Sequence, residues 1–225
     1  MAVRKKKISL APPPPEEGPA APAVLQPPTN QPSFQIAKIP TPLRSEPRGD
    51  GIMPTGIIIH ATAGASAASS IDWLRKTQAS YHFIIPRDGE DSKKTLDPTP
   101  AGLTPPIIQY CVPVTEMAFH CSSRVAPPNG LKGSLAQHCI GISLANLQNG
   151  EHYTDGQIDA LIWLLKEIKR RMPEITWVTS HAIVQPWNRI DPRKLPCKTI
   201  VEMCGLEWWE PTRAAIQIAK PKGEH

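Results

Sequence analysis

Two histidines close apolar, β-branched runs far apart in the chain: Ile57-Ile58-Ile59-His60 and Trp177-Val178-Thr179-Ser180-His181. Asp191 stands ten residues after the second, directly before Pro192. Buried strands hold side chains rigidly at their ends, and two imidazoles with one carboxylate are a complete protein ligand set for a catalytic zinc whose fourth position stays open to water. The chemistry such a set offers is hydrolysis. A strand-end histidine is also commonly an ordinary hydrogen-bonded residue, and chain spacing does not show that the three side chains meet.

The elements needed to position them are readable around these runs. Ile57 to Ile59 suits a central strand, and Ser66 to Lys76 predicts a helix with Ile71 and Leu74 on one face. Tyr81 to Pro86 reads as a second strand closed by the turn Arg87-Asp88-Gly89. Glu90 to Pro106 is polar and broken by four prolines, which predicts a surface excursion before a third strand at Ile107 to Val112. After a Ser-, Pro- and Gly-rich loop at 122–137, Ile140 to Asn146 reads as a fourth strand. Thr154-Asp155-Gly156-Gln157 is a capping box, and Ile158, Leu161, Ile162, Leu165 and Ile168 follow at helical spacing up to Pro173. The last strand, Ile175 to Ser180, leads into His181. Strands alternating with helices predict an α/β single domain with a mixed central β-sheet flanked by helices. Cys197 to Trp209 is expected to form a short helix whose Trp208 and Trp209 pack on the domain, with a fraying Lys-rich tail after Pro211.

Composition sets the boundaries. Twelve of the 27 prolines fall in the first 47 of 225 residues, including Pro12 to Pro15, so residues 1–50 read as a proline-rich flexible arm. Residues 51–212 then form the catalytic domain and 213–225 the C-terminal tail. The net charge is +5, and the first 50 residues carry 7 Lys+Arg against 4 Asp+Glu. A basic balance of that size aids adhesion to anionic envelopes without selecting a partner, and no basic motif interleaved with aromatics argues for nucleic acid. Five cysteines without a close CxxC pair exclude a zinc ribbon and a complete disulfide framework, leaving reduced thiols. Arg4-Lys5-Lys6-Lys7 is followed only by Ile8-Ser9-Leu10-Ala11, far short of a signal peptide's apolar region, and no run approaches a membrane span. The expectation is synthesis in the cytoplasm without a signal peptide.

Several motifs in order carry a family resemblance. They are Ile59-His60-Ala61-Thr62-Ala63-Gly64, Ser80-Tyr81-His82-Phe83-Ile84-Ile85-Pro86-Arg87-Asp88-Gly89, Ala118-Phe119-His120, Ile140-Gly141-Ile142-Ser143-Leu144, the Tyr153-Thr154-Asp155 helix start, and Ser180-His181 through Asp191-Pro192. Over roughly residues 52 to 195 the chain resembles the type 2 N-acetylmuramoyl-L-alanine amidases, a family that includes phage lysozyme-type amidases and peptidoglycan recognition proteins. The resemblance implies a zinc enzyme that cuts the amide between the lactyl group of N-acetylmuramic acid and L-alanine. It also implies His60, His181 and Asp191 as metal ligands, with Cys197 a structural thiol. Tyr81 matches the family tyrosine that lines the site. Arg189 stands where many members have Lys and is assigned electrostatic stabilisation only, because guanidinium does not exchange protons near neutral pH. Ser143 replaces the Glu that some members carry as general base. His120, Ser143 and Thr62 are the expected substrate contacts, with Phe119 in place of a more usual Trp. His82 is expected to be buried and structural, and His138, His152 and His225 to be surface or loop residues.

The function so implied is zinc-dependent cleavage of peptidoglycan by a monomer, leaning toward an endolysin-like lytic enzyme. The alternatives are a cytosolic muropeptide-recycling amidase, a muropeptide-binding module without turnover, and a zinc hydrolase acting on another amide. Retention of all three ligand positions counts against the binding module.

Overall fold

The computed structural model describes residues 34–90 and 106–222; the unit Met1–Pro32 and most of the expected 90–106 excursion lie outside the described residues. A mixed sheet is built from β1 (Ile36–Lys38), β3 (Gly56–Ala61), β4 (Phe83–Ile85), β5 (Ile108–Tyr110), β7 (Cys139–Leu144), β8 (Trp177–Ser180) and β9 (Glu207–Trp208). Their order is β1-β5-β4-β7-β3-β8-β9, while β2 (Ser45–Pro47) pairs antiparallel with β6 (Glu116–Ala118) in a separate ribbon. Only β4 and β5 run antiparallel within the large sheet, so β3, β7 and β8 end on the same edge. That shared edge is where ligand sites form in parallel α/β sheets.

Strand alternation decides which residues face which layer. Ile57 and Ile59 of β3, Ile140, Ile142 and Leu144 of β7, and Val178 of β8 pack under α2 (Asp155–Arg171) and α4 (Cys197–Met203). The intervening Ile58 faces a second cluster with Cys139, Trp177 and Val184, and α1 (Ala67–Leu74) covers a third with Ile84 and Val112. Each fully buried Ile or Leu contributes about 1.5–3 kcal/mol, so these central strands outweigh any single cap or surface ion pair. Gly56 is required by packing: a Cβ there would stand 2.3 Å from the Trp177 ring on the neighbouring strand.

The capping box of α2 forms as expected, with Thr154 Oγ1 accepting from Gln157 N–H and Gln157 Oε1 accepting from Thr154 N–H. Asp155 in the first turn and Lys169, Arg170 and Arg171 in the last complement the helix dipole. Gln157 has a further duty, its Nε2 donating to the Ala145 carbonyl at the end of β7.

Several expectations change. Residues 34–50, read as part of the arm, hold β1 and β2 and bury Phe34, Ile39 and Leu43, because scattered prolines conceal a short sequence that adds to an existing sheet edge. The second strand starts at Phe83, so Tyr81 and His82 precede it and strand alternation does not govern them. The loop expected at 122–137 contains the 3₁₀ turn Pro128–Gly130 and runs into a second at Leu135–His138, and β6 was not anticipated. His138, expected to be a surface or loop residue, ends the 3₁₀ turn Leu135–His138 and is buried, and its ring pairs with the Lys132 carbonyl at 2.7 Å. His152 is exposed as expected, while His225 lies outside the described residues. After Pro211 the chain forms α5 (Arg213–Ala219), capped by Thr212 and anchored by buried Ala219. Trp208 and Trp209 do pack on the domain, Trp209 against Trp177 with ring centroids 5.1 Å apart. All five cysteines are free. No described helix is long and apolar enough to cross a membrane.

Candidate metal centre

His60 is the fifth residue of β3, and its ring is fully buried. His181 follows β8 directly as the first residue of the short helix α3 (His181–Val184). Asp191 returns on the loop after α3, where its carbonyl accepts from Ala182 N–H at 2.8 Å and its Oδ2 accepts from Ala61 N–H at 3.2 Å. Two elements thus hold the carboxylate in place before any metal is considered.

The three side chains meet. His181 Nδ1 lies 3.1 Å and His60 Nδ1 3.7 Å from Asp191 Oδ2, and one donor atom from each residue lies within 4.8 Å of the others. His60 Nδ1 is buried and has no hydrogen-bond partner among the described residues. An orphaned imidazole lone pair beside a carboxylate is costly in a closed polypeptide, and a cation between them removes that cost. The donor set of two nitrogens and one oxygen, open on one side, fits zinc.

Electrostatics supports the same arrangement. Burial, then the neighbouring His181, lowers the His60 imidazole to about 4, so it is neutral and able to ligate at neutral pH. Burial alone would raise the Asp191 carboxyl, but the His181 and His60 imidazoles reverse this and hold it well below the usual carboxylate range.

The cluster lies on a groove of about 510 Å³ whose walls include Tyr81, Trp73, Phe119, Gln185 and Arg189. Burial, reinforced by the Asp191 charge, pushes the Tyr81 phenol up, keeping it a proton-bearing donor whose ring centroid is 5.0 Å from that of His60. Arg189 is exposed, and among the described residues its Nη1 makes only a long 3.4 Å contact with the Asn188 carbonyl, so the cation can face the groove. Thr62 lines the groove and an adjoining pocket of about 460 Å³ that also contains Ser69, Ser70 and Trp73.

Two expected substrate contacts sit deeper than anticipated. Ser143 pairs in register with His60 and is fully buried near the Tyr81 phenol, and its hydroxyl has no hydrogen-bond partner among the described residues. His120 is 4% exposed and faces His60, its Nδ1 lying 3.1 Å from His60 Nε2. His82 is buried as expected. Donor counting settles its role: its Nδ1 accepts from Gly141 N–H at 2.9 Å, so its proton is on Nε2 and donates to the Glu116 carbonyl at 3.0 Å. The adjacent Arg48 guanidinium therefore donates elsewhere, to the carbonyls of Val114, Ala136, Gln137 and Cys139.

Three participants were not singled out in the sequence. Gln185 stands one helical turn after His181, a readable spacing once a helix is known to begin there. Trp73 is a large apolar residue off the buried face of α1 and is 60% exposed at the groove. Arg48 had no signal, since a lone basic residue in a proline-rich stretch reads as solvated.

An α/β fold that collects two histidines and an aspartate at the ends of parallel strands, under an open groove, defines the class of protein: an enzyme built around a candidate metal centre. The family model for N-acetylmuramoyl-L-alanine amidase matches residues 50–194, and the chain belongs to that amidase family. It is similar to AmpDh3 from Pseudomonas aeruginosa, solved in complex with anhydromuramic pentapeptide, at 27% identity over 73% of this chain and 71% of that one, with a TM-score of 0.55. The fold is also that of the N-acetylmuramoyl-L-alanine amidase LysC from Clostridium intestinale URNW, at 19% identity over 78% of this chain and 100% of that one, with a TM-score of 0.55. No curated relative matches the chain in sequence.

Proposed function

We propose that this amidase hydrolyses the bond between the lactyl group of N-acetylmuramic acid and L-alanine in peptidoglycan, that His60, His181 and Asp191 hold zinc for the purpose, and that it acts as a cell-wall lytic enzyme. The observation that carries this reading is the convergence of three buried donors at the base of an open groove in a chain of this family. Bound zinc supplies Lewis acidity toward water and toward the amide carbonyl.

The chain's own residues do the rest. Tyr81, kept protonated by burial and by Asp191, donates to the oxygen on which charge develops. Arg189 adds a permanent positive charge from the loop after α3 that lines the groove and takes no part in proton exchange. Asp191 is the only acid lining the groove among the described residues, so Ser143 leaves the position of an additional carboxylate base unfilled. The uncharged pocket with Thr62, Ser69, Ser70 and the Trp73 face suits the sugar.

The test is digestion of purified sacculi and, in parallel, of soluble muropeptides by zinc-loaded protein, scoring new L-alanine amino termini. Release from sacculi is expected. Cleavage of soluble fragments alone would replace the lytic role with recycling, and no release from either would overturn the substrate assignment.

A further inference from the structure

Each histidine of the candidate metal centre has one nitrogen turned toward Asp191 and the other turned toward a buried acceptor. His181 Nε2 lies 3.3 Å from Gln185 Oε1, and His60 Nε2 lies 3.1 Å from His120 Nδ1. A neutral imidazole carries one proton, so whichever nitrogen donates leaves the other as the lone pair available to a metal. The geometry points to His120 and Gln185 as a pair of positioning residues that draw the proton of each ligand onto Nε2 and so direct both Nδ1 lone pairs at the metal position beside Asp191. This inference rests on the metal centre proposed above and is independent of which amide is cut.

Both acceptors are themselves fixed. Ser122 N–H donates to Gln185 Oε1 at 2.9 Å, and a backbone donor requires an oxygen there, which fixes Oε1 as the atom facing His181; Gln185 Nε2 in turn donates to Asn188 Oδ1 at 2.8 Å. His120 is held by steric fit. A Cβ on Gly141 would stand 2.7 Å from His120 Cγ, so the glycine inside the fully buried β7 makes room for this ring. The His82 ring packs edge-on at 5.8 Å between centroids, and its own Nδ1 is already committed to Gly141 N–H. His120 Nε2 has no partner among the described residues, which leaves Nδ1 as the nitrogen with an assigned task.

Such partners of metal-bound histidines are worth about 10- to 100-fold in metal affinity. The experiment is zinc competition with a chromophoric chelator, run on the full chain and on His120→Phe, His120→Asn, Gln185→Leu and Gln185→Glu. Phe and Leu keep bulk and remove the acceptor, whereas Asn and Glu return one. The expected result is a loss of about 10- to 100-fold in zinc affinity for His120→Phe and Gln185→Leu, with substantial recovery in His120→Asn and Gln185→Glu. Long-range ¹⁵N–¹H spectra of the zinc-loaded parent chain should show His60 and His181 protonated at Nε2, a readout that does not require any variant to fold. Parental affinity in both apolar variants, equal losses in the apolar and polar ones, a change confined to KM, or ligation through Nε2 in the spectrum would each overturn the assignment. Absence of zinc binding by the parent chain would overturn it together with the metal centre, while amidase failure on sacculi would leave it standing.

Discussion

Arg189 and Tyr81 face the groove from different elements, yet both are placed to meet negative charge that appears only as the amide carbonyl is attacked. Donors of that kind act on the transition state more than on the bound substrate. Arg189→Ala is therefore expected to lower kcat by about 10²- to 10³-fold with KM little changed and zinc content retained, as measured by steady-state kinetics beside metal analysis. Arg189→Lys should keep most of the activity, since the charge remains. Loss of zinc in Arg189→Ala would instead show that the guanidinium stabilises the metal centre. At this scale the sequence was informative about identity and weak about direction. His60, His181 and Asp191 stood out by type and by their place at strand ends, but His120 and Ser143 read as substrate contacts because no sequence shows where a ring or hydroxyl points. Burial takes Ser143 off the groove lining, whereas His120 still lines the groove while its Nδ1 faces His60.

Among the elements, β2 shows how a short segment reaches the site without touching it. Arg48 follows β2 directly and is buried, with its guanidinium satisfied by four backbone carbonyls, one just before β6 and three from the 3₁₀ turn and the first residue of β7. Burial lowers it to about 10, which still leaves it charged at neutral pH. Hydrogen bonds from a charged donor contribute about 1.5–3 kcal/mol, and orphaned carbonyls add to the loss. Arg48→Met is expected to destabilise the protein by on the order of 3 kcal/mol, read from urea denaturation with an unchanged slope. A variant within 0.5 kcal/mol of the parent would show that water replaces the guanidinium. The central strands were legible because they are continuous apolar runs, and α2 because its cap and its periodicity agree. Strands β1, β2, β6 and β9 were not, since three-residue or shorter edge strands take their stability from partners distant in sequence.

The whole molecule keeps a set of neutral imidazoles inside its sheet, and this links its stability to pH. His82 is fully buried, and burial holds it near 3, against about 6.5 in an unfolded chain. Below about 6.5 the unfolded chain takes up a proton that the folded chain refuses, so stability falls as pH falls from about 6.5 toward 3 and is flat in this respect above it. Between pH 7 and pH 5 the metal-free protein should lose about 2 kcal/mol through this residue, and His82→Gln should flatten that slope, as read from denaturant curves at the two pH values. An unchanged slope would mean that His82 is hydrated enough to be protonated in the folded state. The sequence by itself determined the α/β class, the long strands, the capped helix and the three residues able to bind a metal, because each of these rests on local pattern or on residue type. Tertiary structure alone decided that His60 and His181 present Nδ1 to Asp191, that His120 and Gln185 stand behind them, and that residues 34–50 belong to the fold. The physical reason is that lone-pair direction, burial and edge pairing are properties of contacts between segments up to 130 positions apart, as with Ala61 and Asp191, and no local pattern encodes them.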